Sequence, residues 1–224
     1  MAGPEKRPAL TDQVSEATTA RLSVYLRCLD QLAVAGVRTI ASKALASRFG
    51  LSAAQIRKDL AHFGELGVRG VGYDVEALQR HLREILGLDR RTRVAIVGAG
   101  NLGLALADYG GFRDGFEVVA LFDNDPRKVG ARTRSGLVVS HVAELARSVE
   151  RERIDIAILA VPAAAAQRAV DQLVGCGVRA ILNFAPGALR VPPTVRIKSV
   201  DFTASLETLS FFLAAERDGK GASR

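Results

Sequence analysis

Arg93-Val94-Ala95-Ile96-Val97-Gly98-Ala99-Gly100-Asn101-Leu102-Gly103 decides the fold of this 224-residue chain. An apolar run of strand length enters G-x-G-x-x-G, and the stretch after it, Leu102 to Tyr109, has helical character. In that setting Gly98 permits a tight turn, Gly100 lets backbone approach a pyrophosphate, and Gly103 allows close packing of helix on strand. The helix N-terminus at Asn101-Leu102 offers free amides and the positive end of a dipole to the pyrophosphate, and Ala99 in the same loop is a further candidate for cofactor binding. A second apolar run, Val118 to Phe122, ends at Asp123, about 20 residues past Gly103, where the fingerprint calls for an acid. A carboxylate there accepts ribose hydroxyls and repels a 2′-phosphate, which favours NAD(H) over NADP(H). Arg127 and Lys128 weaken that preference without reversing it.

Downstream the same rhythm continues. Ile154–Val161 and Ala180–Leu182 read as strands, and His141–Glu150 and Ala164–Leu173 as helices, so the expectation is a parallel sheet covered on both faces. Ligands lie at the carboxyl ends of such strands. Two ends stand out: Val161-Pro162, and Asn183-Phe184-Ala185-Pro186. Both fit a nicotinamide pocket, and both fit ordinary X-Pro scaffolding after a strand. A dehydrogenase also needs an acid or base beside the nicotinamide. The three histidines (His62, His81, His141) fall elsewhere, there is no Tyr-x-x-x-Lys, and little chain remains for a substrate domain. The expectation is binding without turnover, with no catalytic residues.

Upstream of Asp89-Arg90-Arg91 the pattern is helical. Leu22, Tyr25, Leu26, Leu29 and Leu32 form one stripe, closed by Gly36. Short helices follow over Ser42–Phe49 and Ala53–Phe63, separated by a Gly50-Leu51 turn: the skeleton of a helix-turn-helix. Ser52 and Gln55 have capping-box spacing, and Ile56, Leu60 and Phe63 make the inward stripe. The opposite face carries Gln55, Lys58 and His62 with Arg57 on its flank, side chains suited to base edges and phosphates. Six basic residues against two acidic ones lie between Arg38 and Arg69. Arg69-Gly70-Val71-Gly72-Tyr73 reads as a small β-hairpin like the wing of winged-helix proteins, placing Arg69 near DNA. A further helix spans Val75–Leu86.

The composition agrees with this division. A net charge of +7 favours a polyanionic partner. Cys28 and Cys176 form no C-x-x-C, so neither a metal site nor a disulfide scaffold is expected, and no signal peptide or membrane span is visible. A cytoplasmic location follows as the default.

Taken together, several stretches resemble the Rex family of redox-sensing transcriptional repressors, from about Thr18 to Ala214. They are Arg21-Leu-Ser-Val-Tyr25-Leu-Arg27, Gln55-Ile-Arg57-Lys58-Asp59-Leu60, Arg69-Gly-Val-Gly-Tyr73, Val97 to Gly103, Ala107-Asp-Tyr109, Ile181 to Pro186 and Val200-Asp201-Phe202. The resemblance implies an α/β chain: a disordered tail (1–17), a winged helix-turn-helix domain (18–88), a Rossmann NAD(H)-binding domain (89–202), a C-terminal dimerisation helix (203–217) exchanged between subunits, and a tail (218–224). It implies a homodimer that binds double-stranded operator DNA in the presence of NAD⁺ and lets go when NADH binds. It also implies DNA contacts from Ser52, Gln55, Arg57, Lys58, Arg69, Gly70, Gly72 and Tyr73, and a role for Tyr109 at the cofactor. Arg21, Tyr109 and Asp201 would form the switch, with Arg21 and Asp201 pairing across subunits in one state only. On their own terms Arg21 is a surface arginine and Asp201 a helix cap. Two other readings stay open: a small NAD-dependent oxidoreductase with a basic accessory domain, and a regulator of the same build reading another nucleotide such as CoA.

Overall fold

The computed structural model describes residues 14–64, 66–68, 70–112 and 115–221. The chain divides into two compact units, Met1–Arg90 and Arg91–Arg224.

In the first unit, α1 (Glu16–Val34) starts two residues inside the stretch expected to be a disordered tail. Its cap explains why: Ser15 Oγ accepts the Thr18 amide at 3.1 Å, and Glu16 sits at the positive end of the helix dipole. Leu22, Tyr25, Leu26, Leu29 and Leu32 are all buried, as the stripe required. Helices α2 (Ser42–Phe49) and α3 (Ala53–Ala61) are joined through Gly50, which takes the left-handed conformation at the α2 C-cap. Leu45, Ile56 and Leu60 carry this pair onto the core of α1 and α4 (Val75–Ile85). The expected wing is smaller than a strand hairpin: Val68 and Gly72 form a single antiparallel bridge. The strand after it, β2 (Tyr73–Asp74), pairs instead with β1 (Thr39–Ile40), a two-residue element with too little pattern to detect in sequence. Asp74 then caps α4 by accepting the Ala77 amide at 2.7 Å.

The second unit is a six-stranded, wholly parallel sheet. Its strands are β3 (Thr92–Val97), β4 (Phe116–Asp123), β5 (Val139–His141), β6 (Ile156–Leu159), β7 (Ala180–Asn183) and β8 (Arg196–Ser199), in the order β5-β4-β3-β6-β7-β8. This is the 3-2-1-4-5-6 order of the doubly wound dinucleotide-binding fold. Helices α5 (Asn101–Ala107), α6 (Leu145–Glu152) and α7 (Ala163–Gly175) make the crossovers. The order reverses between β3 and β6, so the loops leaving these strands border the crevice. Both sheet faces are covered: Ala95, Phe122 and Leu159 belong to one apolar cluster, and Ile96, Leu121 and Ile158 to another. His141, expected to begin a helix, ends β5 and caps the turn that precedes α6, its ring nitrogen accepting the Ala143 amide.

The last helix, α8 (Phe202–Gly221), differs from the others. Phe202, Leu206, Leu209, Phe211, Phe212 and Leu213 are each more than half exposed. Among the described residues no helix is long and apolar enough to cross a membrane, and no cluster of His, Cys, Asp or Glu could hold a metal.

Candidate functional site

The crevice at the sheet's reversal is a cavity of about 620 Å³, walled by Val97, Gly98, Gly100, Asn101 and Leu102 on one side and Ala160, Val161 and Pro162 on the other. Gly98 has φ +108, and its amide donates to the Phe122 carbonyl at 2.7 Å. A Cβ at Gly98 would overlap the Ala160 carbonyl, and one at Gly103 would overlap the Gly98 carbonyl. Both glycines are therefore demanded by the fold itself. Gly100 is different: its φ is ordinary and a Cβ there meets nothing within 4 Å, so only a ligand would require its absence.

Asp123 closes the crevice at the end of β4. It is buried, with Oδ2 accepting the Ala99 amide (2.8 Å) and Lys128 Nζ (3.0 Å), and Oδ1 accepting the Asp125 amide (2.8 Å). Burial pushes this carboxyl upward, but the Asp125 amide, the Lys128 ammonium and the Ala99 amide outweigh it and hold the group below the usual range. Two oxygens can accept about four hydrogen bonds, which leaves Asp123 room for a hydroxyl. The amide of Ala99 is engaged by Asp123 rather than free for a phosphate. Sequence reasoning missed the far wall, where Ala164, Ala165, Arg168, Ala169 and Gln172 of α7 line the cavity. Their spacing of one, four, five and eight residues from Ala164 marks a single helical face.

Five expected cofactor residues do not stand in these walls. Ala99 gives its amide to Asp123, and Gly103 packs against the Gly98 carbonyl. Asn183 is fully buried: its Oδ1 accepts the Ala185 amide, and its Nδ2 donates to the Ala185 carbonyl and Ser199 Oγ. It shapes the turn after β7. Phe184 stacks near Phe202, with ring centroids 5.9 Å apart. Tyr109, 57% exposed, meets Phe112 edge-on.

On the helix-turn-helix, Ser52 caps α3 by accepting the Gln55 amide at 3.3 Å. The reciprocal half of the capping box is absent, because the Gln55 side chain turns to Asp59, Nε2 to Oδ1 at 2.7 Å. Arg57 donates to Ser42 Oγ at 2.9 Å, bracing α3 on α2, and Lys58 is exposed. Tyr73 is not at the surface as its place among the DNA contacts required: it is buried, packed under Gly67, and burial raises its phenol pKa. Gly70 lies in open space at the turn, whereas Gly72 abuts the Ile40 carbonyl. Arg69 lies outside the described residues.

Beneath this face sits a residue to which sequence reasoning gave no contact of its own. Asp59 is 1% exposed and accepts Arg21 Nε (2.6 Å), Arg21 Nη2 (2.8 Å), Tyr25 Oη (2.8 Å) and Gln55 Nε2 (2.7 Å). The Arg21 guanidinium is the main reason its pKa falls to about 2, against the pull of burial. Burial and Asp59 together push Tyr25 up to about 12. The signal was available: Asp59 falls between Ile56 and Leu60 on the inward stripe of α3, where a charge needs a partner. Asp201 caps α8, accepting the Ala204 amide at 3.0 Å. Cys28 and Cys176 are free thiols whose pKa is raised by burial.

This arrangement has close counterparts. Residues 13–61 match a family model described as a putative DNA-binding protein N-terminus, and residues 89–187 match a CoA binding domain model. The redox-sensing transcriptional repressor Rex of Desulfitobacterium hafniense is 48% identical over 208 residues, covering 92% of this chain and 99% of that protein. Its namesake in Thermus thermophilus is 50% identical over 199 residues, 89% of this chain and 93% of the relative. Among solved structures, RSP, a Rex-family repressor, superposes with a TM-score of 0.83 at 40% identity, over 94% of this chain and 99% of that one. RSP in complex with β-NAD⁺ and operator DNA gives 0.87, and RSP with β-NADH 0.82, with the same identity and coverage. With identity of this order across both units, the chain belongs to the Rex family of redox-sensing transcriptional repressors.

Proposed function

We propose that the chain acts as a homodimer that binds operator DNA through α3 and the Val68–Gly72 turn and is released when NADH enters the crevice beside Asp123. The observation that carries this reading is the coincidence, in one chain, of a basic helix-turn-helix with a carboxylate-closed glycine loop at a sheet's switch point. Solved complexes of RSP with operator DNA and with NADH support it. Asp123 would take the adenosine ribose, the Gly98–Gly103 turn the pyrophosphate, and Val161-Pro162 a wall near the nicotinamide. The exposed apolar side of α8 supports a second copy as its cover, since burying one large apolar side chain is worth about 1.5–3 kcal/mol.

Release requires that NADH prefer the DNA-incompetent dimer; equal affinity for both forms shifts nothing. A swing from 1:99 to 99:1 takes about a 10⁴-fold preference. Arg21, Tyr109 and Asp201 are the proposed switch. Asp59 uses the Nε and Nη2 edge of Arg21, which leaves Nη1 for the partner's carboxylate. Fluorescence anisotropy of a labelled operator, titrated with NADH, NAD⁺, NADPH and CoA in turn, tests the proposal. NADH should release the DNA at concentrations where the others do little. Operator binding unchanged under saturating NADH refutes it.

A further inference from the structure

We infer that Gln55 reads an adenine in the major groove, and that Asp59 is the positioning residue that dictates which face Gln55 presents. The inference rests on the proposed docking of α3 against DNA and adds the base and the device that selects it.

A glutamine side chain carries an acceptor oxygen and two N–H donors on nearly symmetric ends, and a free one presents either end. Gln55 is not free. Its neighbour Asp59 is a carboxylate paired side-on with Arg21 and bonded by the Tyr25 hydroxyl, so it can only accept. Only Nε2 can therefore face Asp59, as the 2.7 Å contact records. One of the two Nε2 hydrogens is consumed. What remains on Gln55 is one N–H donor and the Oε1 acceptor. Adenine is the base whose major-groove edge offers the complement, the N7 acceptor beside the N6 donor, whereas guanine offers two acceptors there. Gln55 stands in the first turn of α3, the part of a recognition helix that meets base edges. It remains half-buried rather than sealed, so its free edge can be reached. Arg57, by contrast, is engaged with Ser42.

The test is selection of binding sites by the full-length chain from a duplex pool with about 20 randomised base pairs, enough for two half-sites one turn apart. Wild type should enrich sites with one adenine position per half-site preferred about tenfold or more over other bases. Gln55→Leu should lose that preference while keeping the others. In Asp59→Leu the acceptor that fixes Gln55 is gone, so either end of its amide can turn to the base. The adenine preference should then fall to within about threefold of guanine, whose N7 and O6 both accept. Weaker binding with unchanged base preference is what a merely destabilised domain gives, and it overturns the inference. So does the absence of any adenine position that depends on Gln55. Should Asp59→Leu fail to fold, ¹⁵N NMR of the wild-type Gln55 side-chain amide decides the same point. One proton protected from exchange and one exposed are expected; two equally exchanging protons overturn it. Wild type that enriches no sequence at all refutes the operator-binding function itself.

Discussion

Replacing Arg21 with methionine should reverse the way the N-terminal unit responds to acid. In the native chain Asp59 titrates near 2 against an ordinary value of 3.8. A depressed carboxyl contributes stability that is complete above its unfolded pKa and disappears as pH falls through its folded one. The gap corresponds to about 2 kcal/mol, lost between roughly pH 5 and pH 2. Arg21→Met removes both charge-assisted bonds but leaves the carboxylate 1% exposed. Removing one partner of a buried pair costs about 3–5 kcal/mol, and because the Arg21 side chain is 35% exposed the lower end applies here. With its chief stabiliser gone, Asp59 should titrate above its ordinary value, so the variant gains stability as it is acidified from neutral pH while wild type holds steady. Urea unfolding followed by tyrosine fluorescence suits the measurement: there is no tryptophan, and two of three tyrosines, Tyr25 and Tyr73, lie in this unit. The reasoning is refuted by a variant that loses less than about 1 kcal/mol at pH 7, or one whose stability parallels wild type down to pH 4.

Three further outcomes are expected. Gly103→Ala should lower the melting temperature of the apo protein through its overlap with the Gly98 carbonyl, whereas Gly100→Ala should leave it unchanged and still weaken NADH binding about tenfold or more, read by NADH fluorescence. Asp123→Ala frees Lys128 beside the proposed ribose position, and the ratio of NADPH to NADH affinity should rise about tenfold. Leu206→Glu combined with Leu213→Glu should shift the protein from the proposed dimer to a monomer in sedimentation, because both side chains are more than half exposed on their own subunit.

The elements legible in the sequence were those whose identity is local. Strands β3, β4, β6 and β7 are continuous apolar runs because both their faces are covered, and α1 to α4 show helical stripes, with Gly50 and Ser52 marking the turn between α2 and α3; the caps at Ser15 and Asp74 were not legible. Edge strands β5 and β8 were not legible: Val139-Ser140-His141 and Arg196-Ile197-Lys198-Ser199 are short and polar, and only pairing with β4 and β7 makes them strands. In the site, the glycine loop and Asp123 followed from spacing alone. The α7 wall did not, since Arg168 and Gln172 reach the crevice only through a crossover that the strand order defines. Asp59 was hidden for another reason. Charge counting treats an acid as a subtraction from a basic surface, whereas this one is interior and gathers four donors from two helices. Asn183 was read as pocket-lining because it follows a strand, yet its amide is taken by the turn it builds and by Ser199 of β8.

The bond from Ala99 to Asp123 has a kinetic and calorimetric consequence. It ties the glycine loop to the end of β4, while Gly98 fastens the same loop to Phe122. A ligand arriving here meets a mould that is already set, and has no loop to order. The loop itself should therefore add no slow ordering phase to association and no heat capacity change beyond the area the ligand buries against it, so that a slow phase reports the proposed switch between dimer forms.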